Sequence, residues 1–225
     1  MANRFTRTLR GFRDIYASQI RPFHDDETLQ ALVKELVEKL DISIFIETGT
    51  FRGDTLLWVA KNLPNLQAWS CEKKPLYYRV ATYRASYHGN VHVKLQDSRD
   101  FLRELAVWDN PLFWLDAHWE SDFPLLDELA IIFRKWDQTA ILIDDFQIDG
   151  FPNFGFDRYD GRPINLEYVR PFLETRNNLW HDVQVFLPHY ESAKELRGYC
   201  LILFGHEALK HNLPLVEVRA FGISS

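Results

Sequence analysis

The chain has 225 residues, 46% hydrophobic and 15% aromatic, enough apolar side chain to fill the core of one domain but not of two full ones. This excludes disorder, collagen-like repeats and small disulfide scaffolds, and no run approaches the roughly 18 apolar residues of a membrane span. The net charge of −6 makes nucleic acid a poor partner, and two cysteines, Cys71 and Cys200, give no disulfide framework, which points to a reducing, cytoplasmic setting.

Residues 1–21 carry five arginines (Arg4, Arg7, Arg10, Arg13 and Arg21) against Asp14 alone, a balance of +4, so the remainder carries −10. With no apolar stretch of secretory type, this segment reads as an arm that packs on the body, on a partner subunit or at the mouth of a site, with a transit peptide and a solvated tail as the alternatives. The expected division is a basic N-terminal arm over 1–25 and an α/β domain over 26–225, with the arm a possible route to homo-oligomers.

From residue 26 the pattern alternates helix and strand. Residues 27–40 are amphipathic, with Leu29, Leu32, Val33, Leu36, Val37 and Leu40 on one face. A β-rich run at 42–46 precedes a helix over 55–62 that Pro64 closes. A strand at 66–70, a helix over 75–87 with Pro75 in its first turn, and a strand at 91–95 follow. Ser98 is the expected cap of a helix to about 107. Next come a strand at 112–115, a helix over 123–133 and a strand at 140–143, apolar throughout as a doubly buried strand should be. Residues 146–164 read as a long functional loop with Phe151, Phe154, Phe156, Asp157 and Tyr159. A helix over 166–175 leads to strands at 183–187 and 199–204, which lack a crossover helix between them and should pair antiparallel. The expected fold is a doubly wound α/β domain, a mostly parallel seven-stranded sheet with an antiparallel edge strand.

The segment Glu47-Thr48-Gly49-Thr50-Phe51-Arg52-Gly53-Asp54-Thr55 follows the first strand and opens a helix. Gly49 suits a tight turn and Gly53 a close backbone approach to a ligand, although an ordinary strand-to-helix turn would use both equally well. Phe51 and Arg52 stand where a dinucleotide loop wants glycine, which argues against a nicotinamide dehydrogenase. Glu47 at the strand end suits a cationic group such as an α-amino group. Glu72, at the end of the second strand, is placed to accept from ribose hydroxyls, unless it is a solvated acid beside Lys73 and Lys74. Asp97 and Ser98, past the third strand, could hold an adenine amino group or form a helix cap.

Asp116 ends the fourth strand, and Asp144 and Asp145 end the fifth. Converging carboxylates repel unless a cation joins them, and a hard divalent ion, Mg²⁺ first, would take such oxygen ligands. Without metal they would be capping or ribose-binding groups. His118, a lone histidine after the fourth strand, reads by itself as a structural residue. The histidines show no zinc spacing, with His88 and His92 read as surface residues, and the chain has neither a GxSxG elbow nor a Cys-His pair, so a hydrolase is not expected.

Acidic residues at three successive strand ends, followed by a terminal antiparallel pair, resemble the class I S-adenosylmethionine-dependent methyltransferases over residues 27–205. Asp116-Ala-His-Trp, Leu125-Leu-Asp-Glu-Leu, Ile143-Asp-Asp-Phe and Thr50-Phe-Arg-Gly resemble the metal-dependent sugar O-methyltransferases of the macrocin and novobiocin type. The resemblance implies S-adenosylmethionine held by Glu47, Thr48, Gly49, Thr50, Gly53, Thr55, Glu72, Asp97 and Ser98. It also implies Mg²⁺ on Asp116, Asp144 and Asp145, with Asp116 and His118 catalytic. That family has a carboxylate where this chain has His118, a Gly-Gly where it has Gln138-Thr139-Ala140, and Asp-Asp-Tyr where it has Asp-Asp-Phe. The implied reaction is methyl transfer to a hydroxyl of a small sugar or natural product, as in natural product biosynthesis, without nucleic acid or membrane. A metal-independent small-molecule methyltransferase and a non-catalytic cofactor-binding module stay open as alternatives.

Overall fold

A computed structural model describes residues 21–118, 122–180, 183–192, 194–207 and 215–218. Residues 1–20 of the expected arm lie outside these. Its last residues form a short 3-10 turn, Pro22–Asp25, whose Phe23 is buried. Helix α1, Glu27–Lys39, starts where its apolar period begins, because the Asp26 carboxylate accepts from the amides of Thr28 (2.9 Å) and Leu29 (3.0 Å).

Strands β1 (Ile44–Thr48), β2 (Gln67–Glu72), β3 (Val91–Leu95), β4 (Leu112–Leu115) and β5 (Thr139–Ile143) run parallel. They alternate with helices α2 (Asp54–Asn62), α3 (Pro75–Ala85), α4 (Ser98–Glu104) and α5 (Leu125–Lys135). Helix α6 (Leu166–Trp180) leads to β6 (Gln184–Pro188), β7 (Cys200–Phe204) and β8 (Leu215–Glu217).

The sheet order is β8-β6-β7-β5-β4-β1-β2-β3, eight strands where seven were expected. The extra strand, β8, is three residues long and pairs antiparallel with β6. Only Leu215 and Val216 are apolar in it, too short a pattern to announce a strand. The antiparallel region lies at the expected end of the sheet, but β7 is inserted between β5 and β6 rather than forming the edge itself.

Two apolar layers sandwich the sheet. Ile44, Ile46, Phe113, Leu115, Ile141 and Ile143 face one with α5, while Phe45, Leu112, Trp114, Ala140 and Leu142 face the other with α1 and α2. Adjacent strand residues point to opposite faces, so covering both makes the strands continuously apolar.

The 146–164 segment is more ordered than a plain loop. Phe154–Gly155 pairs parallel with Leu196–Arg197, and Arg158–Tyr159 pairs antiparallel with Arg162–Pro163. Gly198 permits the docking: a Cβ there would lie 2.0 Å from the Phe146 carbonyl oxygen.

Candidate functional site

Because the sheet order reverses between β1 and β4, the carboxyl ends of β1, β2, β4 and β5 open on one crevice, the usual ligand position in such sheets. A cleft of about 370 Å³ there is lined by His24, Gly49, Phe51, Glu72, Lys74, Tyr77, Asp116, His118 and Asp145. Glu72, Gly49, Asp116, His118 and Asp145, which the sequence singles out separately, thus meet on one surface.

The Glu72 carboxylate accepts from the backbone N–H of Phe51 (2.8 Å) and of Lys74 (2.7 Å), which fixes it at the cleft. Burial raises its pKa against those hydrogen bonds. The Phe51 and Tyr77 rings pack beside it at a tilt of 57°, centroids 4.3 Å apart. These aromatics were not anticipated as lining. A partly exposed Phe51, at 47%, becomes informative only once it is beside Glu72.

Gly49 has φ of 85°, and a Cβ on it would lie 2.4 Å from the Asp116 carbonyl oxygen, so the loop after β1 lies directly on the end of β4. Gly53 is also left-handed, φ 80°, but a Cβ there would make only an ordinary 3.4 Å contact with Ala81, so its conformation is what favours glycine. Thr55 accepts from the Phe23 amide at 3.2 Å, tying α2 to the turn before α1.

Glu47 is buried beneath the loop. Ser70 donates to it at 2.5 Å, and the Ser70 and Thr50 hydroxyls are also 2.5 Å apart. Burial pushes Glu47 up to about 8, with Ser70 opposing. Thr48 and Ser98 are fully buried, near the carboxyl of buried Glu128. Burial raises Glu128 to about 7 while the Ser98 and Thr48 hydroxyls pull the other way.

Asp97, rather than Ser98, caps α4, accepting from the Arg99 amide at 3.1 Å. Its side chain is engaged in a fork with Arg99, at 2.9 and 2.8 Å, and pairs with Lys73 at 3.0 Å; both cations also pair with Asp122. The Arg99 hydrogen bonds hold its carboxyl well below the usual range. Asp97 and Ser98 are therefore not brought to the cleft lining.

At the other end, Asp116 is pushed well above the carboxylate range by burial and by Asp144 and Asp145. Asp145 has φ of 56°, which breaks the strand alternation that would otherwise send the side chains of Asp144 and Asp145 to opposite faces. Burial and Asp144 raise Asp145 to about 7, with Arg197 opposing.

The chain supplies two cations here that the sequence did not reveal. His24 Nε2 is 2.6 Å from Asp144 Oδ2, and Arg197 bonds both Asp145 and Asp157. Burial lowers the His24 pKa, but Asp144 outweighs it and carries it up to about 9. Part of the expected repulsion is met from within. His118 Nε2 lies 3.6 Å from Asp116 Oδ1, with its side chain 44% exposed. Among the described residues two potential cation-binding sets share Asp116: His24, Asp116 and Asp144, and Asp116, His118 and Asp145, each with ligand atoms within 4.8 Å of one another.

The chain matches no protein-family model and no curated protein sequence. Solved structures resemble it over most of its length. An O-methyltransferase from Bacillus cereus in complex with SAH is 18% identical over 88% of this chain and 90% of its own, with a TM-score of 0.60. Cofactor-bound Rv0187 from MTB is 18% identical over 90% of each chain, TM-score 0.61. TomG, an O-methyltransferase of tomaymycin synthesis from Streptomyces achromogenes in complex with SAM, is 19% identical over 77% of this chain and 78% of its own, TM-score 0.55. The fold is that of the class I S-adenosylmethionine-dependent methyltransferases. Among the described residues no helix is long and apolar enough to cross a membrane.

Proposed function

We propose that the chain transfers a methyl group from S-adenosylmethionine to a hydroxyl of a small polyhydroxylated acceptor, a sugar or natural product, assisted by a divalent cation. The observation that carries this reading is the single cleft running from Glu72 past Gly49 to Asp116, His118 and Asp145. Glu72 is placed to accept from ribose hydroxyls, and the carboxylate end suits a sulfonium cation. Glu47 acts from beneath, holding Thr50 through Ser70.

In the reaction the acceptor oxygen attacks the methyl carbon in line with the C–S bond. That bond breaks with its electron pair on sulfur, giving S-adenosylhomocysteine and a methyl ether. The exposed His118 imidazole faces the cleft and takes the hydroxyl proton. The Tyr159 ring, centred 6.2 Å from that of His118 and stacked on Phe123 at 3.8 Å, walls this end against water. Asp116, Asp144 and Asp145 would hold Mg²⁺ or a similar ion, whose Lewis acidity lowers the pKa of a hydroxyl. Buried Glu128 borders the small cavity lined by those aspartates, and an all-oxygen set of carboxyls there fits a hard cation.

Calorimetry with S-adenosylmethionine, then turnover on a panel of polyols with and without a chelator, tests the reading. His118→Ala should lower turnover by about 10²–10⁴ while cofactor affinity stays nearly unchanged. Absence of cofactor binding by the wild type overturns the proposal. Turnover that survives chelation selects the metal-independent reading, which the pairing of Arg197 with Asp145 favours.

A further inference from the structure

We propose that His24 is itself a ligand of the divalent cation, so that the site offers mixed imidazole and carboxylate donors and selects a first-row transition metal over Mg²⁺. The inference rests on the metal-assisted reading above and changes the identity of the ion. His24 Nε2 and carboxylate oxygens of Asp116 and Asp144 all lie within 4.8 Å of one another, and His24 and Asp144 are already 2.6 Å apart. Ligands at about 2.1 Å around an octahedral ion stand about 3–4 Å from one another, so His24 and Asp144 need to part only slightly, exchanging their hydrogen bond for the ion. His24 lines the same cleft as Asp116.

Its position is held from several sides. Phe23, His24 and Asp25 have φ of 50°, 56° and 62°, a left-handed run that L side chains adopt only when packing holds it. The turn is held by Phe23, whose ring meets Trp58 and Trp114 edge-on at 5.3 and 5.0 Å, and by its amide on Thr55. Asp26 fixes the following residue by capping α1 and by accepting from the Tyr190 hydroxyl at 2.5 Å. On the opposite side buried Glu128, with the Ser98 and Thr48 hydroxyls against its carboxyl, borders the small cavity lined by Asp116, Asp144 and Asp145. A carboxylate and water shell suits Mg²⁺, whereas an imidazole donor shifts preference towards Fe²⁺, Co²⁺, Ni²⁺ and Zn²⁺.

The test is calorimetry of the full chain with CoCl₂ and with MgCl₂, together with electron spin echo spectra of bound Mn²⁺, which detect a coordinated nitrogen directly. The wild type should bind Co²⁺ more tightly than Mg²⁺ and show nitrogen coupling to Mn²⁺. His24→Ala should weaken Co²⁺ binding by at least about tenfold, the lower end of what losing even an outer partner of a ligand costs. It should also remove the nitrogen coupling, and thermal melting checks that it folds. The spectrum of the wild type stands independently of any variant. Divalent binding with no nitrogen coupling, or coupling that persists in His24→Ala and vanishes in His118→Ala, overturns the proposal and leaves the metal-assisted reading intact. If neither Co²⁺, Mg²⁺ nor Mn²⁺ binds, the metal-assisted reading falls as well.

Discussion

The two ends of the cleft are built differently. At the β1–β2 end, neighbouring segments satisfy one another: Glu47 with Ser70 across paired strands, Glu72 with the amides of Phe51 and Lys74. At the β4–β5 end, Asp144 and Asp145 meet groups from remote parts of the chain, His24 lying 120 residues away and Arg197 52. The first end follows from one strand-turn-helix segment and the strand beside it. The second exists only once the turn before α1 and the segment before β7 have docked, so its electrostatics depend on tertiary packing.

Removing the anchor of that docked turn tests this difference most severely. Phe23→Ala deletes a fully buried ring and should cost about 3–5 kcal/mol in urea unfolding. In the protein that remains folded, divalent-ion affinity should fall much further than S-adenosylmethionine affinity. Equal losses in both would show that the two ends are one unit.

The pH dependence of stability probes the other end. Glu47 is raised to about 8 when folded, so the folded chain holds a proton that the unfolded chain releases near the ordinary carboxylate pKa. Stability therefore falls as pH rises from about 4.5 to 8. His24, raised to about 9, adds stability that is fully present below about 6.5 and is lost as pH rises through 9. Glu47→Gln should remove the Glu47 part of the slope, leaving the variant more stable than the wild type at pH 8 by an amount on the order of a few kcal/mol. An unchanged slope in thermal melts across this window would place the titration elsewhere.

The smallest effect is expected at Asp97. Asp97→Asn weakens a partly exposed ion cluster and a helix cap and should cost about 1 kcal/mol. Cofactor affinity should hardly move, because the Asp97 oxygens are already taken by Arg99 and Lys73. A tenfold loss in calorimetry would return Asp97 to the ligand site.

The sequence by itself determined the alternating architecture and the strand-end positions of Glu47, Glu72, Asp116, Asp144 and Asp145, because apolar periodicity and turn residues are local signals. Helix ends came close for the same reason: α1 and α2 begin within one residue of expectation. Tertiary structure alone decided which of these groups reach the cleft. Asp97 turned to Arg99, Glu47 went under the loop, and His24 came to Asp144 because burying Phe23 between Trp58 and Trp114 draws its neighbour across the mouth. Such choices follow from long-range packing and charge pairing in three dimensions, and these leave no period in the chain.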